Sequence, residues 1–515
     1  MDFLLDALRV TGLIFLVLIV FNLMIVVHEW GHFLAARWRG LKVEKFYVWF
    51  GKALWKKKIN GVEYGLGSIP MGGYVALPQM APMGAIEGKT EDGQDTLPPI
   101  SPLDKIIVAF AGPLFSFLLA AFFAVLVWAF GTKQHEIDVT TTIGQVAENS
   151  PGARAGLQAG DKVLNIDGKP VRGFRGLVDS ITWHVVSSEG DTINFHVDRP
   201  GKGELDIPVK AEKPPQDPAT GGWWRSIFTR PAFRQVGIGP HESLKVLQFT
   251  GEAKNGPAEE AGVQKGDDLV SLDGIKLWSR WHMAQLLEPR VGKAVPLEVL
   301  RDGKIVSLTV TPRPPDQRPP DWVLIKRNPE KNNQIEVDNR LDTIGILSMD
   351  PFGKELPNSH PSPGSQLKDA AMTIWNTLAA ITSSKSDLGA SHLSGAIGIG
   401  TVYYNLLQDP DGWRRVLWFS VVLNVNLALL NLLPFPVLDG GHIVMAIYEW
   451  IRRRPINLRL LEVVQTACVL LLFGFMIFIS FKDAGDVFGV GRKSEEEVPK
   501  KVEEKFLPPG QRGGN

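Results

Sequence analysis

The residues best suited to carry out a chemical reaction lie near the N-terminus, in the run His28-Glu29-Trp30-Gly31-His32. In a helix, positions four apart share one face, so His28 and His32 can direct their rings at one metal ion. Imidazole nitrogens are good zinc ligands, and a catalytic zinc site keeps one position open for water. Glu29 is then placed to act as general base towards that water. The run therefore predicts a hydrolytic site with one zinc ion.

A zinc site of this kind needs a third protein ligand, and Asp439 is the best candidate. It lies in the sequence Asn-Leu-Leu-Pro-Phe-Pro-Val-Leu-Asp-Gly-Gly at positions 431–441. Pro434 and Pro436 exclude a regular helix there, and the two glycines permit a tight turn. The alternative is an ordinary Asp–Gly turn at the end of a membrane segment. We expect ligation, because the topology derived below puts both motifs on one side of the bilayer.

The segment before Asp439 is apolar but carries Asn424, Asn426 and Asn431. Amide side chains in hydrocarbon need hydrogen-bond partners, and these three can satisfy one another or neighbouring helices. The sharper alternative is that Asn426 or Asn431 holds the substrate backbone or stabilises the oxyanion. His442 is expected to lie beside the site without binding zinc, because a fourth ligand would close the open position.

Long uncharged segments supply the scaffold for these residues. About 20 apolar residues cross a bilayer as a helix. The segments that meet or approach this length are Val10–Val27, Ile106–Phe130, Val416–Leu438 and Val463–Phe481. The first has no basic cluster before it, so we expect a retained span rather than a cleaved signal peptide. The run from His28 to His32 follows this span directly. Ionisable groups at the end of a membrane span are usually functional.

The distribution of basic residues predicts the topology. Basic side chains are concentrated between spans one and two and between spans three and four, at Arg37, Arg39, Lys42, Lys45, Lys52, Lys56, Lys57, Lys58, Arg452, Arg453, Arg454 and Arg459. Loops rich in lysine and arginine stay in the cytoplasm. The predicted zinc site therefore faces the cytoplasm, whereas the long region between spans two and three lies outside with both termini.

Composition excludes other classes of protein. Lys+Arg and Asp+Glu both number 55, so the chain has no basic surplus for nucleic acid. The single cysteine, Cys468, lies in an apolar run and excludes an intrachain disulfide.

Residues 41–80 are rich in glycine and alternate apolar with polar residues in places, which favours strands and tight turns. Irregular backbone at membrane depth is tolerated only where it is buried in protein or lines a cavity. The alternative is an ordinary cytoplasmic hairpin.

The external region contains an internal repeat. The pattern Pro, Ala-Gly, Gly-Asp, Asp-Gly recurs in register over residues 150–168 and 256–274. Each copy resembles a PDZ domain of the kind attached to bacterial proteases, a fold that binds extended peptide as an added strand. A spacer or steric screen that binds no peptide is the alternative.

The chain is thus predicted to be a polytopic α-helical membrane protein with about four transmembrane helices, a membrane-re-entrant β-loop and two extracytoplasmic PDZ domains of α+β fold. The predicted segments are 1–40 (first span), 41–80 (β-hairpin or re-entrant loop), 81–104 (cytoplasmic loop), 105–131 (second span), 136–240 and 241–350 (PDZ domains), 351–415 (linker and amphipathic helix), 416–441 (third span), 462–481 (fourth span) and 482–515 (disordered tail).

These motifs together resemble the site-2 protease family of intramembrane zinc metalloproteases, in its bacterial regulator-of-sigma-E branch. The matching features are the His28–His32 pentad, the run Gly72-Gly73-Tyr74-Val75, the pair Gly112-Pro113, the tandem repeat and the proline-rich run before Asp439. The resemblance extends to about Phe481. One departure is Ser116, at a position where the family often has asparagine.

The resemblance implies zinc held by His28, His32 and Asp439, with Glu29 as base, in the bacterial inner membrane. It implies that residues near 60–78, including Gly72 and Gly73, pair with an extended substrate, and that Asn426, Asn431, Pro434 and Pro436 line the substrate site. The implied substrates are single-span membrane proteins within the lipid bilayer, such as anti-sigma factors already trimmed outside, and remnant signal peptides. The PDZ pair would admit only trimmed substrates.

Two alternatives compete with a protease: a non-catalytic membrane scaffold that presents PDZ domains, and a zinc sensor or transporter. A relic site would tolerate loss of Glu29 first, because the base is needed only for chemistry. A transporter normally needs polar groups along several spans, whereas here they cluster at one depth.

Overall fold

The computed structural model describes residues 2–80, 100–176, 178–213, 225–249, 256–313, 344, 346–349, 355–408, 411–453 and 458–488. These residues form two compact units, of which the first comprises Met1–Thr132, Ser359–Asn376 and Leu393–Phe488 and the second Lys133–Asn358 and Thr377–His392. The predicted cytoplasmic loop lies outside the described residues from 81 to 99, and the predicted disordered tail does so from 489.

The first unit begins with a long helix, a small sheet and a second long helix. Their bounds are Asp2–Trp38 (α1), Lys45–Phe50 (β1), Trp55–Ile59 (β2), Val62–Leu66 (β3), Ile69–Ala76 (β4) and Pro102–Phe130 (α2). The start of α2 is well specified, because Pro102 occupies the first turn and the Ser101 hydroxyl accepts the Asp104 amide. Apolar side chains of α1, the sheet and α2 share one core, which includes Phe33, Phe46 and Val108.

The sheet has the strand order β2-β3-β1-β4. Strand β1 runs parallel to β3 and antiparallel to β4, with Tyr47 opposite Tyr74. Every residue of β2 is exposed, and three of its five residues are lysines, at positions 56–58. The β2 edge of the sheet is therefore exposed and strongly basic.

A hydrogen bond connects the sheet to the middle of α1. The indole N–H of Trp49 donates to the Asn22 side-chain oxygen. Asn22 in turn donates to the Leu18 carbonyl, 2.7 Å away. Trp49 has a φ of 72°, a left-handed conformation that is unusual for a bulky residue. Asn22 lies more than one helical turn before His28 on α1. The end of β1 therefore contacts α1 more than one turn away from the two histidines.

The second unit contains both copies of the sequence repeat. The first copy comprises Thr132–His135 (β5), Glu136–Val139 (α3), Ile143–Val146 (β6), Pro151–Ala155 (α4), Lys162–Ile166 (β7), Lys169–Pro170 (β8), Ile181–Ser187 (α5), Thr192–Arg199 (β9), Gly203–Lys210 (β10), Arg225–Phe228 (α6) and Ile238–Pro240 (β11). The second copy comprises Val246–Phe249 (β12), Pro257–Glu260 (α7), Asp268–Leu272 (β13), Ile275–Lys276 (β14), Arg280–Leu287 (α8), a 3-10 turn at Glu288–Arg290, Val295–Arg301 (β15), Lys304–Val310 (β16) and Ile346–Met349 (β17).

The two copies have equivalent sheets. Strands pair in the order β8-β7-β9-β10 in the first copy and β14-β13-β15-β16 in the second, while β6 pairs with β11 and β12 with β17. The repeated Gly-Asp explains part of this likeness. Asp161 accepts the Arg199 side chain and the Gln158 amide, and Asp267 accepts Arg301 and the Gln264 amide in the same way. Both aspartates are 1 % exposed.

The C-terminal part comprises Glu355–Ser359 (β18), Pro363–Thr382 (α9), a 3-10 turn at Ala390–His392, Ala396–Leu407 (α10), Gly412–Asn431 (α11), Asp439–Arg452 (α12) and Leu458–Val487 (α13). Among the described residues, four helices are long and apolar enough to cross a membrane, within Val10–Trp38, Pro102–Phe130, Gly412–Asn431 and Leu461–Val487. The chain is therefore a multi-pass membrane protein.

Two predicted helix ends differ from the structure. The third span was expected to continue to 441, but α11 ends at Asn431 because Pro434 cannot continue it. The fourth span was expected to end at 481, yet α13 continues to Val487. Asp483, which is 1 % exposed, accepts the Gly395 and Gly398 amides at the start of α10. This buried cap anchors the final turns of α13.

Candidate active site

Three side chains of types that can bind a metal ion meet between α1 and the start of α12. His28 Nε2 lies 3.2 Å from Asp439 Oδ2, and His32 Nε2 lies 3.4 Å from Asp439 Oδ1. The two Nε2 atoms are 3.3 Å apart. All three residues are buried, and one ligand atom from each lies within 4.8 Å of the other two. Helical spacing aligns the histidines, whereas Asp439 arrives from the other end of the chain.

Helix α2 holds both imidazole rings at their Nδ1 atoms. His28 Nδ1 lies 2.9 Å from the Ser116 hydroxyl, and His32 Nδ1 lies 2.8 Å from the Val108 carbonyl. Both rings are thereby turned with Nε2 towards Asp439. Metal-binding histidines in proteins usually have such a partner on the second nitrogen, which fixes the tautomer and the ring orientation.

Glycines allow the elements to approach this closely. A Cβ at Gly112 would overlap the His32 ring and lie 2.8 Å from His28 Nε2. A Cβ at Gly31 would overlap the main chain at Ala111. The space in front of the two Nε2 atoms therefore exists because α2 has no side chain at Gly112.

Asp439 is presented by a break in the chain between α11 and α12. Leu438 precedes the first turn of α12, and Asp439 is the first residue of that helix. A Cβ at Gly440 or Gly441 would overlap the main chain of Leu432 or Phe435. The glycines thus let the segment between the helices fold tightly over the start of α12. The Pro436 carbonyl accepts the buried Gln465 side chain of α13 at 3.1 Å, which holds the segment in place.

Glu29 lies on the side of α1 that faces β4. Its Cγ would be 3.4 Å from a Cβ at Gly73, and its carboxylate accepts a hydrogen bond from the backbone of Val75. The carboxylate therefore lies between the histidine pair and an edge strand of the sheet. A carboxylate next to an edge strand and one residue from His28 is a candidate general base for a peptide bound along β4.

The other predicted site residues lie on α11, on β4 and, for Pro434 and Pro436, in the segment between α11 and α12. Asn426 and Asn431 lie on α11, and no hydrogen bond among the described residues joins either to the three clustered side chains. The Oδ1 atoms of Asn424 and Asn426 are buried acceptors without a partner in the described part of the chain. Gly72 has a φ of 77° and its Cα faces the Phe50 ring.

Sequence reasoning did not find the roles of Ser116 and Val108. Ser116 was noted only as a departure from a resembling family, and no sequence pattern marks the carbonyl of Val108. One pattern in the sequence could have pointed to Ser116. Gly112 and Ser116 are four residues apart, so they occupy one face of α2.

The donor set fits zinc. Two imidazole nitrogens and a carboxylate form a recognised three-ligand catalytic set with an open fourth position. The Gly112 gap supplies space for the ion, and the Nδ1 contacts leave both Nε2 atoms free to coordinate. His442 is buried next to this centre but is not part of the cluster. The arrangement can support metal-assisted hydrolysis of a peptide bond.

Comparisons with known proteins agree with this chemistry. A family model described as peptidase family M50 matches residues 16–475. A candidate zinc metalloprotease of Neisseria meningitidis serogroup A is 29% identical over 482 residues, which cover 91% of this chain and 98% of that protein. The regulator of sigma-E protease RseP of Escherichia coli is 28% identical over 503 residues, which cover 90% of this chain and 97% of RseP. A regulator of sigma E protease of Haemophilus influenzae is 26% identical over 493 residues, with coverage of 90% and 97%.

Proposed function

The chain belongs to peptidase family M50 and is a zinc metalloendopeptidase, and on that premise we propose that it cleaves the transmembrane segments of single-span membrane proteins. The proposed substrates are proteins of the anti-sigma-factor type after a first cut outside the membrane, together with remnant signal peptides. The proposed location is the inner membrane of a bacterium, with the zinc site towards the cytoplasm.

The observation that carries this proposal is the meeting of His28, His32 and Asp439 with their donor atoms within 4.8 Å of one another. His28 and His32 come from one candidate span, and Asp439 directly follows another. Buried ionisable groups are costly at membrane depth and are retained there mainly for function. We assign all three as zinc ligands and Glu29 as the catalytic base.

The proposed mechanism divides the work between zinc and the protein. Bound zinc supplies a Lewis acid that polarises the scissile carbonyl and makes water more acidic. Glu29 takes the proton from the attacking water and delivers it to the nitrogen of the leaving amine. The Val75 backbone contact orients the Glu29 carboxylate, while Ser116 and Val108 orient the histidines. Asp439 completes the proposed ligand set from the start of α12.

We assign the sheet as the place where an unwound substrate is held. A helical substrate hides its carbonyls in hydrogen bonds, so it must become extended before hydrolysis. Strand β4 lies at an edge of the sheet next to Glu29, and an added substrate strand would pair there. The fastening of Trp49 to Asn22 supports a re-entrant position for this sheet within the bilayer.

Residues near the edge of this cleft complete the proposed substrate site. Gly72 and Gly73 on β4 would contribute main-chain groups to the pairing with the substrate strand, while the Phe50 ring fills the space beside Gly72. Asn426 and Asn431 would hydrogen-bond to that backbone, and the unpartnered Asn426 Oδ1 supports this role. Pro434 and Pro436 would shape the loop that precedes Asp439.

The two repeat copies are proposed to be PDZ domains outside the membrane. Their equivalent sheets and aspartate–arginine contacts support a shared fold. We propose that the pair screens substrates by size, so that only trimmed proteins reach the zinc site. Extended peptide at a sheet edge is the ligand class that such domains bind.

The decisive experiment measures cleavage of a trimmed single-span substrate by the purified protein in detergent, together with its zinc content. Glu29→Gln removes the base but no ligand, so it should keep wild-type zinc and lose at least about 100-fold in rate, as expected for a general base. Asp439→Ala should lose both zinc and cleavage. Glu462→Gln, an exposed position on α13, is the matched control and should behave as wild type.

Each result separates the alternatives. Equal cleavage by wild type and Glu29→Gln would remove Glu29 from the mechanism. Full zinc occupancy in Asp439→Ala would remove Asp439 from the ligand set. Zinc-loaded wild-type protein that cuts none of several trimmed substrates would favour a scaffold or a sensor.

A further inference from the structure

Ser116 occupies an unusual position for a hydroxyl group in a membrane helix. It lies in the middle of α2, is fully buried, and places its Oγ 2.9 Å from His28 Nδ1. A buried serine in such a helix often satisfies itself on the carbonyl one turn earlier. Here the side chain reaches across to another helix and contacts a residue of the candidate zinc site.

The two ends of the His28 ring meet two neighbouring positions of α2. Gly112 lies against Nε2, where a Cβ would come within 2.8 Å, and Ser116 lies against Nδ1. These positions are four apart and therefore share one helix face. Helix α2 thus offers empty space at one nitrogen and a hydroxyl at the other, which defines the direction of the ring.

We infer that Ser116 is a positioning residue for zinc, acting through His28; this inference rests on the proposed function. For Nε2 to bind a metal, the neutral imidazole must carry its proton on Nδ1. That Nδ1–H donates to the Ser116 oxygen, which selects this tautomer and prevents rotation of the ring. Such partners typically change metal affinity by about 10- to 100-fold when they are removed.

His32 provides an internal comparison. Its Nδ1 donates to the Val108 carbonyl, a main-chain group that no substitution removes. His28 depends instead on a side chain. Of the two histidines, His28 is therefore the one whose Nδ1 partner depends on the identity of a side chain on α2.

The test is zinc affinity, measured by competition with a chelator on the full-length protein in detergent. Ser116→Ala should weaken zinc binding by about 10- to 100-fold. Ser116→Thr keeps the hydroxyl and should restore most of the affinity. Ser420→Ala is the matched control, because Ser420 is also buried and bonds Tyr403 on α10 at 2.9 Å, away from the histidines. It should lower thermal stability without changing zinc affinity.

The outcomes are distinct. Unchanged zinc affinity in Ser116→Ala overturns the inference, and so does an equal loss in Ser420→Ala, which would indicate a general packing effect. Loss in Ser116→Ala with retention in Ser116→Thr and Ser420→Ala supports it. If wild-type protein fails to bind zinc while remaining folded, the proposed function itself falls, and this inference falls with it.

Discussion

At the scale of single residues, Gly112 shows how the site constrains helix composition. Glycine inside a helix costs about 0.5–1 kcal/mol relative to alanine, so its presence in α2 needs a reason. The reason is spatial: any side chain there would overlap the His32 ring. The helix therefore loses some intrinsic stability and gains the gap in which two Nε2 atoms can face a metal ion.

Gly112→Ala is therefore expected to weaken zinc binding by at least about tenfold, because its Cβ would displace the ring of His32, a proposed ligand that must stay oriented. Helix propensity alone would favour the change, so any loss of zinc reports the contact with the ring. Zinc affinity by chelator competition and thermal stability in detergent are the measurements.

Gly474→Ala is the matched control for that substitution. Gly474 lies in the candidate span of α13, and an added Cβ would meet no atom within 4 Å. It should bind zinc as wild type does. Wild-type zinc affinity in Gly112→Ala would show that the histidine rings can move aside without loss of the site.

At the scale of elements, each repeat copy is closed by a buried aspartate that ties a turn to a later strand. Asp161 joins the turn before β7 to Arg199 at the end of β9, and Asp267 joins the equivalent turn to Arg301. The same arginines also donate to the carbonyls of Gly156 and Gly262. In each copy the buried carboxylate is thus a charged acceptor that the arginine and the turn share, so its loss weakens both contacts at once.

This duplication gives a prediction with a built-in control. Asp161→Asn should speed amide hydrogen exchange across the first copy, in β7 and β9, and leave β13 and β15 of the second copy unchanged. Asp267→Asn should give the reverse pattern, because each carboxylate serves only its own copy. Hydrogen exchange with mass spectrometry on the full-length protein measures both. Equal acceleration in both copies from either variant would show that the copies unfold together.

Some of these elements could be predicted from sequence and others could not. The repeated sequence pattern predicted the turns that contain Asp161 and Asp267, because Gly-Asp and Asp-Gly are strong turn signals. The arginine partners lie far along the chain at unmarked strand ends. Helix α10 was missed for a similar reason: Gly395, Gly398 and Gly400 argue against a helix, but buried Asp483 caps it from α13.

In the candidate site, too, some residues could be predicted from the sequence and some contacts could not. The helical spacing of His28 and His32 predicted that their rings share one face. The prolines and glycines around Asp439 predicted a helix break on the same side of the membrane as the histidines. Their meeting in the structure is consistent with that reasoning, and their roles stay predictions. The contacts at Ser116 and Val108 depend on how α2 packs against α1, which no local pattern encodes.

At the scale of the whole molecule, the basic residues predict which face of the membrane each part meets. The lysines of β2 are predicted to face the cytoplasm, and the repeat copies are predicted to lie on the opposite side of the membrane. The single cysteine makes this testable, because Cys468→Ser gives a chain without thiols. New cysteines can then be placed at exposed positions in each part.

Lys57→Cys and Lys202→Cys in that background should label from opposite sides. A maleimide that cannot cross membranes should modify position 202 in cells with a permeable outer barrier and an intact inner membrane. Position 57 should react only after the inner membrane is opened. Both side chains are exposed, so access to the reagent depends on the membrane alone. Labelling of both positions in intact inner membranes would contradict the proposed topology.

The lysine-bearing β2 strand also bears on how neighbouring molecules meet in a crowded bilayer. Exposed strand edges invite pairing between chains, and lysines on an edge are a common protection against it. With Lys56, Lys57 and Lys58 on β2, two copies placed edge to edge would oppose like charges. Of the two edges of this described sheet, β4 carries no lysine, and on the proposed function it is the edge that pairs with a substrate strand beside Glu29. In that case crowding favours docking of cleavable peptides over pairing of enzyme molecules through β2.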